Sequence, residues 1–323
     1  MSYPALVGRE SSMQSGEARS PAVSANPLSG AADSARRAGF ALGLLGVVAF
    51  SVTLPATRIA VAELDPVFVG LGRAVVAAVL AAAALALTRQ RFPTRGELRK
   101  LVVAALGVVF GFPLFSALAM RSVPASHGAI LTGLLPLATA AAAAWFARER
   151  PSRGFWTVAL LGSALVVAFG LIRGGGSLHL GDLYLLAAVA AGGIGYAAGA
   201  RLSMTMGGWQ VISWVLVVSA PFLLVPVGWS VAQHGLAASW PAWLAFAYVS
   251  LVSQYLGFFA WYRGLALGGI ARVGQLQLLQ PFLTLVFAAL LVGERLDWMT
   301  AAFAVAVVAC VAAGRRMPVR RED

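Results

Sequence analysis

The sequence predicts an all-α membrane protein with ten transmembrane helices, arranged as two inverted repeats of five. Three observations carry this expectation. Of the 323 residues, 60% are apolar and only 11% are charged, against about 25% charged in an ordinary soluble domain. Apolar runs long enough to cross a hydrocarbon core of about 30 Å recur along the chain. Finally, one stretch occurs twice. Ile130-Leu131-Thr132-Gly133-Leu134-Leu135-Pro136 leads through an apolar run to Arg148-Glu149-Arg150. Gln275-Leu276-Gln277-Leu278-Leu279-Gln280-Pro281 leads likewise to Gly293-Glu294-Arg295. Proline and glutamate stand 13 residues apart in both copies. One offset of 145 maps Thr132 on Gln277, Pro136 on Pro281, Thr139 on Thr284 and Glu149 on Glu294. Such self-similarity marks an internal duplication. Five spans per copy is an odd number, so the two copies enter the membrane from opposite sides.

Taken in order, residues 1–37 are rich in Ser, Ala, Gly and Pro, with no apolar core behind the initiator methionine. They read as a disordered cytoplasmic tail and not as a signal peptide. A first repeat follows over 38–173, with spans at about 38–60, 67–88, 101–120, 124–147 and 155–172. Gly174-Gly175-Gly176 opens a linker over 174–180. The second repeat, 181–314, has spans at about 182–201, 209–230, 241–262, 270–293 and 298–314. A basic cytoplasmic tail, 315–323, ends the chain.

The formal charge of +12 sits between the apolar runs, as the positive-inside rule expects, and so implies no nucleic-acid partner. Arg89, Arg91, Arg95, Arg99 and Lys100 share one loop, and Arg36, Arg37, Arg315, Arg316, Arg320 and Arg321 flank the spans. The opposite side holds only Arg58, Arg121, Arg173 and Arg295. This bias puts both termini in the cytoplasm of a cell (inner) membrane. The one cysteine, Cys310, and three scattered histidines offer no disulfide and no metal-ligand spacing. No cofactor is expected.

Ten spans, two five-span halves and a Pro-to-Glu-Arg stretch closing spans four and nine resemble the drug/metabolite transporter superfamily, and within it the EamA-domain exporters. Leu45-Gly46-Val47-Val48-Ala49-Phe50-Ser51 and Gly72-Arg73-Ala74 fit the same resemblance. It covers about 38–314. The resemblance implies a secondary transporter, exporting amino acids or related metabolites in many members and drugs, cations, purines or sugars in others. The small multidrug-resistance relatives carry a glutamate in mid-span one. Here that span offers Ser51, Thr53 and Thr57, which argues against a buried carboxylate proton relay.

Intramembrane polar groups are the candidates for a site. In span nine Gln277, Gln280 and Thr284 share a helix face. Pro281 frees a backbone carbonyl one turn earlier. Thr132, Pro136 and Thr139 repeat this more weakly in span four. In span eight Gln254 and Phe258 stand one turn apart, followed by Trp261, while Tyr262 reads as an interfacial aromatic beside Arg263. Phe115, with Phe112 and Ser116, is the corresponding set in span three. Arg73 lies about 10 Å into span two. It either snorkels or pairs with Asp65 or Glu63, or it serves as counter-charge for a substrate carboxylate. His127 opens span four as a helix-end histidine or a proton-coupling group. Glu149-Arg150 and Glu294-Arg295 read as structural, the glutamates capping the next span or pairing with an arginine.

The leading function is therefore export of a small metabolite by alternating access. Drug or cation efflux, or nucleotide-base or sugar transport, is the alternative. An integral-membrane enzyme would need a nucleophile–base set or clustered His/Asp/Glu at membrane depth, and none is visible. A scaffold would not explain the polar faces. No ATP-binding P-loop occurs. The expected partners are a small-molecule substrate and the lipid bilayer, with monomer and homodimer both open.

Overall fold

The structure is a computed structural model, and it describes residues 27–147, 149–173, 178–268, 273–315 and 319–321. The remaining tail residues, most of the glycine linker and the approach to span nine lie outside the described residues. Ten apolar helical segments follow one another. Seven are long enough to cross a membrane whole, and three are shorter apolar helices, Trp156–Ile172, Leu276–Val292 and Trp298–Cys310. The only other regular structure among the described residues is a pair of three-residue strands. Glu149–Pro151 pairs antiparallel with Val319–Arg321, which sets the end of span four beside the C-terminal tail.

Span one starts earlier than the sequence suggests. Its helix runs Pro27–Ser51, through part of the stretch read as a disordered tail, and continues as Thr53–Val61. The interruption at Val52 has a cause: Pro55 has no N–H for the Ser51 carbonyl. Spans four and nine break in the same way. Span four is Ala125–Thr132 followed by Leu135–Ala147. Span nine is a 3-10 turn, Gly274–Leu279, followed by Gln280–Val292. Pro136 and Pro281 cannot donate to the carbonyls of Thr132 and Gln277, the duplicated positions. Spans three and eight also match. Span three carries a π-helical stretch at Leu106–Gly111, and span eight carries one at Tyr248–Leu256. Span two opens on a third, Phe68–Gly72, and continues as Arg73–Leu87. The other spans are Arg153–Arg173 (five), Leu180–Met206 (six), Gly208–His234 (seven) and Trp298–Arg315 (ten).

The two repeats interdigitate instead of standing side by side. Span one packs on span eight, and three packs on six; two packs on seven, four on nine and five on ten. Exchanging the repeats turns the pairing of one with eight into that of six with three and leaves the other three pairings unchanged, as an inverted duplication requires. Small residues allow the close approach. A Cβ added to Gly107 would strike the Gly195 backbone, and one on Gly264 would strike that of Gly43. Lipid-facing apolar side chains such as Val79, Leu87, Phe222 and Val225 remain exposed. Trp145, Trp240 and Trp298 are exposed at span ends, where an aromatic belt lies. Tyr262 is not in that belt. It is 1% exposed and packed between Gly199 and Gly208, so the interfacial reading is corrected: aromatic content near an arginine did not reveal which face meets the neighbouring helices.

Candidate functional site

A cavity lined by both polar and apolar side chains lies where the repeats meet. The first repeat contributes Phe50, Thr53 and Leu54 from span one, Arg73 from span two, Val108 and Phe112 from span three, and Thr132 from span four. The second contributes Tyr196 from span six, Ser253, Gln254 and Phe258 from span eight, and Gln280 and Thr284 from span nine. The broken and π-helical segments position most of this set. A π-helical turn or a proline break leaves backbone groups that a regular helix would satisfy internally. The cavity measures about 20 Å³, room for about one water molecule. A metabolite therefore needs the helices to part.

Two hydrogen bonds tie the repeats together here. Thr53 and Ser253 share one of 2.8 Å between their hydroxyls. Gln254 Nε2 donates to the Val108 carbonyl at 3.0 Å, from one π-helical stretch to the other. The Thr132 hydroxyl donates back to Gly128 O at 2.8 Å. The wall opposite is aromatic. Phe50 and Phe258 meet edge-on at 5.1 Å between ring centroids, and Tyr196 lies 5.9 Å from Phe258.

Arg73 is the charged group of the cavity. It is 2% exposed, and neither Nε nor Nη1 has a hydrogen-bond partner. The expectation that it snorkels, or pairs with Asp65 or Glu63, is corrected. Asp65 accepts from the Val67 and Phe68 amides and from the Ser230 hydroxyl. Glu63 accepts from the Ser239 amide and hydroxyl. The Ser239 hydroxyl, and then its amide, hold the Glu63 carboxylate below its ordinary pKa.

Three expected site residues fall outside the cavity lining. Gln277 is buried with Nε2 unpartnered. Thr139 donates to Leu135 O at 2.8 Å within its own helix. Phe115 stacks on Tyr184 at 6.3 Å, and its neighbour Phe112 lines the cavity instead. Phe50, Leu54, Val108 and Tyr196 were not anticipated. Tyr196 had a signal: it is the one aromatic side chain in Ala190-Ala191-Gly192-Gly193-Ile194-Gly195-Tyr196.

At the bundle end away from the termini, carboxylates cross between repeats. Glu294, after span nine, accepts the Ala125 and Ser126 amides that open span four, at 2.7 and 2.8 Å. It does not cap the next span, where Asp297 accepts from Thr300. Asp182 of span six is 1% exposed and meets His127 of span four at 2.5 Å. A carboxylate is thus buried after all, at a helix end. A recess of about 370 Å³ adjoins these groups, lined among others by Ser126, His127, His179 and Glu294. The Glu149 and Arg150 side chains, their duplicates, lie outside the described residues.

The sequence model of the EamA-like transporter family matches residues 37–171 and again 179–313. An uncharacterized transporter of Bacillus subtilis (strain 168), YdeK, is 49% identical over 284 residues, which is 86% of this chain and 97% of that protein. A solved crystal structure superposes with a TM-score of 0.55 at 23% identity, over 87% of this chain and 97% of the other, and supports the fold alone. Two family matches, one on each five-helix repeat, and a closely similar transporter agree with the bundle and its central cavity: this multi-pass membrane protein belongs to the EamA-like transporter family.

Proposed function

We propose that this chain is a secondary transporter that exports a small polar or amphipathic metabolite, an amino acid or a related compound, by alternating access. The observation that carries the reading is the cavity itself. It draws hydroxyl, amide, guanidinium and aromatic groups from both repeats, and its volume of about 20 Å³ is too small for any metabolite unless the repeats move. The carboxylates of Glu294, Asp182 and Glu63 supply a set of contacts that such a movement would break at one end. The arginine-rich connection between spans two and three, a short loop that runs into the first turns of the helix starting at Arg95, favours a cytoplasmic side at the other end, with both termini there.

The test is substrate flux in inverted membrane vesicles, with and without an imposed proton gradient, across a panel of amino acids, nucleobases, sugars and cationic dyes. We expect saturable accumulation of at least one small metabolite that is lost when Gln280 and Thr284 are both replaced by bulky leucines. Flux that is indifferent to that double replacement would remove the central cavity from the pathway.

A further inference from the structure

We propose that Arg73 is the carboxylate-binding group of the central cavity, so that the cargo is a small carboxylate whose remainder packs on the aromatic wall. The inference rests on the transport reading above and narrows it to a chemical class. A guanidinium keeps its charge in a protein and presents five donors in a planar fork. Burying such a group without an anion is costly. Arg73 is 2% exposed, and its Nε and Nη1 are unpartnered.

The nearby acids are not its partners. Asp65 and Glu63 are held by Ser230 and Ser239, and no carboxylate lines the cavity among the described residues. The unused donors therefore suit an anion brought by the cargo. A carboxylate matches the fork with two parallel hydrogen bonds. Beside it, the Gln280 amide and Thr284 hydroxyl offer acceptors and donors for an amino or hydroxyl group. Phe50, Phe258 and Tyr196 offer apolar surface. A cationic drug or polyamine would instead face an uncompensated positive charge, so the same residue rejects the alternative cargo.

The experiment uses the full chain in detergent and in proteoliposomes. The probes are the common L-amino acids, their carboxamides, 3-phenylpropanoate, phenethylamine and chloride. We expect carboxylates to raise the melting temperature and to drive counterflow, while the matched amides and amines do neither. Arg73→Lys should keep this selectivity with affinity weakened roughly tenfold, and Arg73→Gln should weaken it by roughly a hundredfold. Without ligand, Arg73→Gln should melt no lower than the parent, because a buried uncompensated charge has gone.

Equal responses to acids and amides, or an Arg73→Gln variant with unchanged affinity, would overturn the proposal. So would a ligand-free loss of stability in that variant. Stabilisation by chloride equal to that by every carboxylate would also overturn it, making Arg73 the seat of a resident halide. Counterflow of amines but not acids would sink this inference and leave the transporter reading standing. Silence from every probe would overturn this inference, and silence also from the nucleobases, sugars and dyes of the flux panel would sink the transport reading.

Discussion

Gln277 and Gln280 share one face of span nine, yet the structure gives them different surroundings. Gln280 lines the cavity, whereas Gln277 is buried with an amide donor unused. A hydrogen bond contributes about 0.5–1.5 kcal/mol net, and an unsatisfied buried donor costs about 1–3 kcal/mol. Gln280→Leu should therefore weaken cargo affinity roughly threefold to tenfold with little change in melting temperature. Gln277→Leu should leave affinity alone and raise the melting temperature, since it removes the orphaned donor. Paired flux and thermal-denaturation measurements on the two variants check this, and the opposite pattern would exchange their roles. The sequence showed a polar face here because helical spacing is local. It did not show that Gln277 falls in a 3-10 turn, Gly274–Leu279, while Gln280 opens the α-helix that follows, so that two residues on one face meet different neighbours. The same limit applies to Arg73. Its depth was readable from its position in span two, but the unpartnered state of its Nε and Nη1 was not, since it involves Ser230 and Ser239 claiming the two acids nearest to it in sequence.

At the scale of elements, helix starts are capped from across the molecule. Glu294 serves the first turn of span four, and Glu63 serves the first turn of span eight. A carboxylate at a helix N-terminus stabilises it through hydrogen bonds and through the helix dipole. Because hydrogen bonds from Ser239 lower the Glu63 pKa, that cap is complete above the ordinary glutamate range and is lost as pH falls below it. Glu294→Gln should weaken the contact between spans nine and four and shift the population toward opening at that end. A Ser126→Cys reporter in a Cys310→Ser background, labelled by a membrane-impermeant maleimide, should react several-fold faster in the Glu294→Gln variant. An unchanged labelling rate would show that the cap does not restrain the opening. The sequence reading placed this glutamate at a helix end and offered the next span or an arginine as its partner, whereas the structure gives it the start of span four. Its true partner amides lie 169 and 168 residues away in the chain, beyond the reach of any local pattern.

For the whole molecule, ten spans bring the chain back to the side on which it began. A phosphatase fused after Thr88 should be inactive and a fluorescent protein fused there should be bright, because the connection between spans two and three is expected in the cytoplasm. The reverse result would invert the orientation drawn from the arginines. By itself the sequence determined that this is a ten-helix membrane protein of duplicated, inverted halves. Apolar length, charge placement and a repeated stretch are properties of the chain as a line, and they survive any choice of packing. Only the tertiary structure decided which faces meet. Interdigitation of the repeats joins Thr53 to Ser253 and Gln254 to Val108, and it leaves Arg73 facing a cavity without an anion. Those outcomes depend on which polar groups far apart in sequence satisfy one another once buried, and that competition has no signature in local spacing.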